Sequence, residues 1–83
     1  MLRWRDFESF PLDQQVKALY ENGTFVMGIR YYGYKVNLYL LNGYYLEVFY
    51  NHKRDLIEKI IPLDVSHKRM KFYTDQIKLP ALH

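Results

Sequence analysis

The sequence predicts an α+β domain: a four-stranded antiparallel sheet, built as a meander, with an N-terminal and a C-terminal helix packed on one face. Three observations carry this. Two glycine-containing turns divide residues 24–51 into three runs rich in tyrosine, valine and leucine. Segments with helical spacing of apolar residues flank that region on both sides. The chain has 83 residues and is 49% hydrophobic and 18% aromatic, which makes one domain with enough apolar surface for a core. A chain this short buries only about 60% of its unfolded surface, so most of its large apolar side chains are needed inside.

The first element is a helix over Pro11–Glu21. Ser9 is placed to cap it, Pro11 suits its first turn, and Asp13 lies near the positive end of its dipole. Leu12, Val16, Leu19 and Tyr20 recur at helical spacing on one face. Asn22-Gly23 supplies residues for a left-handed stop.

The meander runs from Thr24 to Asn51. Gly33-Tyr34 reads as a type II′ turn, which pairs Tyr31 with Val36, Ile29 with Leu38 and Met27 with Leu40. At the second turn a three-residue loop, Leu41-Asn42-Gly43, pairs Leu40 with Tyr44, Leu38 with Leu46 and Val36 with Val48. A two-residue loop would set Leu38 against Glu47 and Val36 against Phe49. A slip of one residue exchanges the two faces, so the purely apolar alignment is preferred, with Gly33 and Gly43 both at positive φ.

Leu56–Pro62 reads in two ways. Leu56, Ile57, Ile60 and Ile61 have helical spacing, but the run is short, rich in β-branched residues and closed by proline. A fourth strand after an Asn51–Asp55 loop is favoured over a short helix. A second helix spans Val65 to about Ile77, capped by Asp64 or Ser66. The tail Leu79-Pro80-Ala81-Leu82 is expected to return to the sheet.

Gly23-Thr24-Phe25, Tyr31-Tyr32-Gly33-Tyr34-Lys35, Tyr45-Leu46-Glu47-Val48-Phe49-Tyr50 and Thr74-Asp75-Gln76-Ile77-Lys78-Leu79 resemble a family of short bacterial proteins with no assigned activity. The resemblance spans most of the chain. It implies strand, turn, strand and helix after Tyr44, and it transfers no functional residue.

The residue inventory narrows the function. There is no cysteine, which points to a reducing, cytoplasmic setting. No secretory h-region opens the chain and no apolar run is long enough for a membrane span. His52, His67 and His83 have no metal-ligand spacing. The two serines lie in no nucleophile elbow, and the four glycines form no phosphate loop. The expectation is a non-catalytic protein with no cofactor and no metal.

Two surfaces remain as candidates. The register above gathers Arg30, Tyr32, Tyr39, Tyr45, Glu47 and Phe49 on the second sheet face. Mixed aromatic and charged residues of this kind stabilise sheets and also make interface hot spots. The net charge is +3, and Lys53, Arg54, Lys68, Arg69 and Lys71 form a basic patch if the third loop and the second helix meet. The favoured function is a protein-interaction or self-associating module. The alternative is a nucleic-acid-binding accessory protein using the basic patch. An RNA-recognition fold is excluded by the strand order.

Overall fold

The computed structural model describes residues 4–76. Ile77, His83 and the tail 79–82 lie outside the described residues. The order is α1 (Trp4–Glu8), α2 (Leu12–Asn22), β1 (Thr24–Tyr31), β2 (Tyr34–Leu41), β3 (Tyr44–Asn51), β4 (Leu56–Pro62) and α3 (Met70–Gln76). The strands form one antiparallel sheet in sequence order, β1-β2-β3-β4. The α+β class and the four-stranded meander are therefore as expected. Among the described residues, no helix is long and apolar enough to cross a membrane.

The helices, however, do not share a face. Leu12, Val16 and Leu19 of α2, with Phe7 of α1, pack on Leu41, Leu46, Val48 and Ile60. Met70, Phe72 and Tyr73 of α3 pack on the opposite side, against Ile29, Val36, Leu38 and Phe49. The structure has three layers, with two small cores separated by the sheet.

This corrects the register. Both turns are two-residue loops: Tyr31 pairs with Tyr34, and Leu41 pairs with Tyr44. Asn42 and Gly43 both take positive φ, 49° and 83°, as a type I′ turn requires. In the first turn Tyr32, not Gly33, takes the positive φ, at 56°. Leu38 is buried as expected, but its neighbours are Met27 and Glu47 rather than Ile29 and Leu46. The apolar alternation that favoured the other alignment assumed a sheet covered on one side. With helices on both sides, either face of β2 and β3 is core, and alternation loses its power to choose.

Two β-bulges adjust the edge strands. One falls between Phe25 and Met27, leaving Val26 without a partner. The other lies opposite Phe49 and Tyr50, where Lys59 and Ile57 are the partners and Glu58 is the extra residue. An unbroken strand would send Ile57 and Ile60 to opposite faces. The bulge at Glu58 returns both to the α2 side, while Ile61 serves the α3 side. The helical-looking spacing of this segment is thus a strand with one inserted residue.

The helix ends also differ from expectation. Ser9 does not cap α2; its hydroxyl donates to the Asp6 carbonyl at 2.7 Å. Pro11 is the residue before the first turn, and its carbonyl accepts from Gln14 and Gln15 at 3.0 Å each. α1 was not foreseen. Buried Gln15 ties it to α2, its amide donating to the carbonyls of Phe7 (3.1 Å) and Phe10 (3.2 Å). Gly23 is extended rather than left-handed. It is glycine because a Cβ there would lie 2.6 Å from the Leu19 carbonyl oxygen. α3 begins at Met70 rather than Val65; residues 65–69 form turns instead, with the Asp64 carboxylate accepting from the Ser66 N–H and hydroxyl.

Three alanine substitutions separate these roles. Gly23→Ala should cost about 1–3 kcal/mol through the clash with Leu19, and Gly43→Ala more than ~1 kcal/mol through its positive φ. Gly33→Ala should stay within about 0.5 kcal/mol, because a Cβ there meets nothing within 4 Å. Urea unfolding checks all three. Equal losses at Gly33 and Gly43 would contradict the turn assignment.

Candidate functional site

Glu47 is the strongest chemical feature of the sheet. It lies mid-strand in β3 and is fully buried, 0% exposed. Alternation along β3 turns it toward α3, beside Phe49 and away from Leu46 and Val48. An isolated carboxylate there would be very costly. Arg69, at the entrance to α3, meets it with both prongs: Nε to Oε2 at 3.0 Å and Nη2 to Oε1 at 2.8 Å. The Tyr73 hydroxyl donates to Oε2 at 2.8 Å. The pairing holds the Arg69 proton more firmly than in a free arginine. Burial, then the Glu47 carboxylate, raises the Tyr73 phenol.

Aromatic rings wall this pair. The Arg69 guanidinium lies 5.1 Å from the Phe49 ring centre and 5.4 Å from that of Tyr31, and Lys59 Nζ lies 4.6 Å from the Phe49 ring centre. His67 is bracketed by the same arginine. Its Nδ1 accepts the Arg69 backbone N–H at 3.0 Å, and its Nε2 lies 3.1 Å from Nη1. Sealed from water, the Glu47–Arg69–Tyr73 group is suited to holding α3 on the sheet, not to exchanging protons with a substrate.

A second polar cluster lies on the same face, at the end of the sheet that carries the β3–β4 loop. Glu58, released by its bulge, accepts from the Tyr34 hydroxyl at 2.7 Å and the Asn51 amide at 3.0 Å, and pairs with Arg54 at 3.7 Å. The hydrogen bonds from Tyr34 and Asn51 lower the Glu58 pKa, and the same contact raises the Tyr34 phenol. The Tyr50 hydroxyl donates to Asp55, which takes positive φ in the loop.

The six residues expected on one aromatic face are divided. Tyr45, Glu47 and Phe49 belong to the α3 side, and Arg30 and Tyr39 to the α2 side. Glu47 and Phe49 are core, Tyr39 is half-buried, and Tyr32 stands out from the first turn. Phe49, placed by the sequence on the second sheet face, is buried because α3 covers that face. The basic residues also separate. Arg69 is buried against Glu47, Arg54 pairs with Glu58, and Lys53 lies in the β3–β4 loop. Lys68 and Lys71 stand at the opposite edge, beside Tyr31 of β1. Sequence reasoning missed Tyr31, His67, Phe72 and Tyr73; the available signal was Glu47 itself, a mid-strand carboxylate needing a cationic partner.

Two surface hollows flank α3. One, about 450 Å³, is lined by Tyr31, Tyr32, His67, Lys68, Lys71 and Phe72, with Met70 at its floor. The other, about 210 Å³, is apolar and runs between α3 and the sheet past Val26, Met27, Leu38, Tyr45 and Leu63. Val26 and Tyr45 on its wall are 43% and 47% exposed, and Tyr20 and Phe25, on the α2 side of the sheet, are 52% and 54% exposed. Tyr39 joins Tyr20 (ring centres 5.5 Å apart) to Phe25 (5.6 Å, edge-on). No group of His, Asp or Glu side chains able to hold a metal ion occurs among the described residues.

No family model, curated protein or solved structure matches this chain.

Two measurements test the polar clusters. Arg69→Met strands a buried carboxylate and should cost about 3–5 kcal/mol, most of it recovered by adding Glu47→Leu. If the double variant unfolds as readily as Arg69→Met alone, the pair is not what makes the single change costly. For Glu58, the folded pKa lies below its ordinary 4.5. Its contribution is therefore complete above that value and lost as pH falls through the folded pKa. The melting temperature should drop below about pH 4.5, and Glu58→Gln should make that acid limb shallower; an unchanged limb contradicts the assignment.

Proposed function

We propose that this protein is a non-catalytic interaction module that self-associates through the apolar surface at the start of β1. The observation that carries the reading is the set of half-exposed side chains at the bulged start of an edge strand, Tyr20 and Phe25 on its α2 side and Val26 and Tyr45 on its α3 side. Exposing roughly half of each leaves on the order of 400 Å² of apolar area around this strand end, within the range of surface patches that serve as contact sites. The bulge at Val26 interrupts the regular edge and disfavours simple strand addition, so the contact is made by side chains. The Tyr20–Tyr39–Phe25 cluster is self-complementary, since aromatic rings stack on one another across a two-fold axis.

The ionisable groups support the non-catalytic part of the reading. Glu47, Arg69 and Tyr73 are used up in the interior, and the Glu58 cluster is occupied by its own neighbours. A nucleic-acid surface spanning all five basic residues loses support, because Arg69 is committed to Glu47 and Lys53 and Arg54 are separated from Lys68 and Lys71 by the width of the sheet.

Sedimentation velocity over a concentration series tests the proposal. The wild type should shift from monomer toward dimer, and Phe25→Ser with Tyr45→Ser should stay monomeric. The melt of this double variant at low protein concentration should remain close to wild type, since neither residue is core. A wild type that is monomeric up to millimolar concentration overturns self-association.

A further inference from the structure

We infer that the hollow between the first β-turn and α3 binds a planar aromatic anion, specifically a free nucleoside monophosphate, independently of the apolar surface used for association. Its shape and chemistry both point that way. At about 450 Å³ it falls within the range of small-ligand sites. Its walls are mainly aromatic, from Tyr31, Tyr32 and Phe72, and the two lysines Lys68 and Lys71 bring its positive charge. No carboxylate lines it.

The two lysines are aligned by the backbone. The Lys71 N–H bonds the Lys68 carbonyl at 3.4 Å, within a run of such turns that leads into α3. Side chains three residues apart in such turns lie one above the other, so the two ammonium groups are placed to converge on one anion. Neither makes an ion pair among the described residues. Arg69 does not compete, because Glu47 and His67 engage its guanidinium. The unneutralised charge of this corner is therefore that of Lys68 and Lys71, facing the hollow.

The aromatic side is equally specific. Tyr31 is held edge-on between Tyr32 (ring centres 4.7 Å apart, 76°) and Phe72 (5.3 Å, 70°). Tyr32, at the tip of the turn, remains 87% exposed, so a ring face is open beside two cations. An open tyrosine face stacks a base, and the paired ammonium groups take the phosphate. A phosphate alone would leave the aromatic wall unused, and an uncharged ring would leave the lysines unused.

Amide-resolved NMR titration of the intact chain tests this with four probes: adenosine 5′-monophosphate, adenosine, inorganic phosphate and a short oligothymidylate. The monophosphate should shift residues 31–33 and 67–72 and bind at least tenfold more tightly than adenosine or phosphate. Lys68→Gln with Lys71→Gln should weaken it at least tenfold. Tyr32→Asn, which keeps a residue tolerant of positive φ, should do likewise. Both variants change exposed side chains, and unchanged spectra elsewhere confirm that they fold. Three results overturn the proposal: no saturable shifts at millimolar monophosphate, equal binding of inorganic phosphate, or binding unaltered by the lysine and tyrosine changes. If the oligothymidylate binds while the monophosphate does not, the site belongs to a nucleic-acid strand and the free-nucleotide assignment is wrong.

Discussion

A carboxylate buried in the middle of a sheet must be answered by a cation, and in this protein that requirement organises the fold around it. Glu47 faces the α3 side of β3 with no access to water. Its oxygens are satisfied only when the turn before α3 delivers Arg69 and the first turn of α3 delivers Tyr73. The pair fixes where the chain re-enters the sheet after β4, and so fixes which face α3 covers. Its value lies more in specificity than in stability, because desolvating both charges offsets much of their attraction. An apolar pair of similar size would fill the space without dictating the bidentate geometry.

Placing α3 on that face has consequences on both sides. Among the described residues the α2 face is closed by the N-terminal segment, and α1 contributes Phe7. On the α3 face the described helix is Met70–Gln76, with its packing residues on Ile29, Val36, Leu38 and Phe49. Two hollows flank it. One opens beside the first β-turn, with lysines and aromatic rings. The other opens beside the start of β1, with apolar side chains. The surfaces for which functions are proposed thus lie beside a helix pinned at its entrance by an ion pair.

The edge strands show how the same chain meets both cores. Each carries one inserted residue, Val26 in β1 and Glu58 in β4. The bulge in β4 keeps Ile57 and Ile60 on one side and frees Glu58 for Tyr34 and Asn51. The bulge in β1 sets Val26 outside the ladder, where it lines the apolar hollow. Both interruptions also twist strand edges that would otherwise be open to uncontrolled pairing.

Much of this architecture is local and was legible in the residues: the helix through Leu12–Asn22, the glycine turns, the strands between them, and a fourth strand ending at Pro62. Backbone propensity and turn chemistry act over a few residues, so a single sequence carries them. The register was not legible. Apolar alternation chooses a face only when one face is wet, and the sequence did not show that α2 and α3 would take opposite sides. For the same reason Glu47 and Phe49 read as surface residues. Their partners, Arg69 and Tyr73, lie more than twenty positions away and meet them only once α3 has docked. By itself the sequence determined the four strands, their antiparallel order and the helix before them, but not α1 or the start of α3. The tertiary structure decided which side each residue faces, because burial on either side of a sheet is set by what packs there and not by the strand's own pattern.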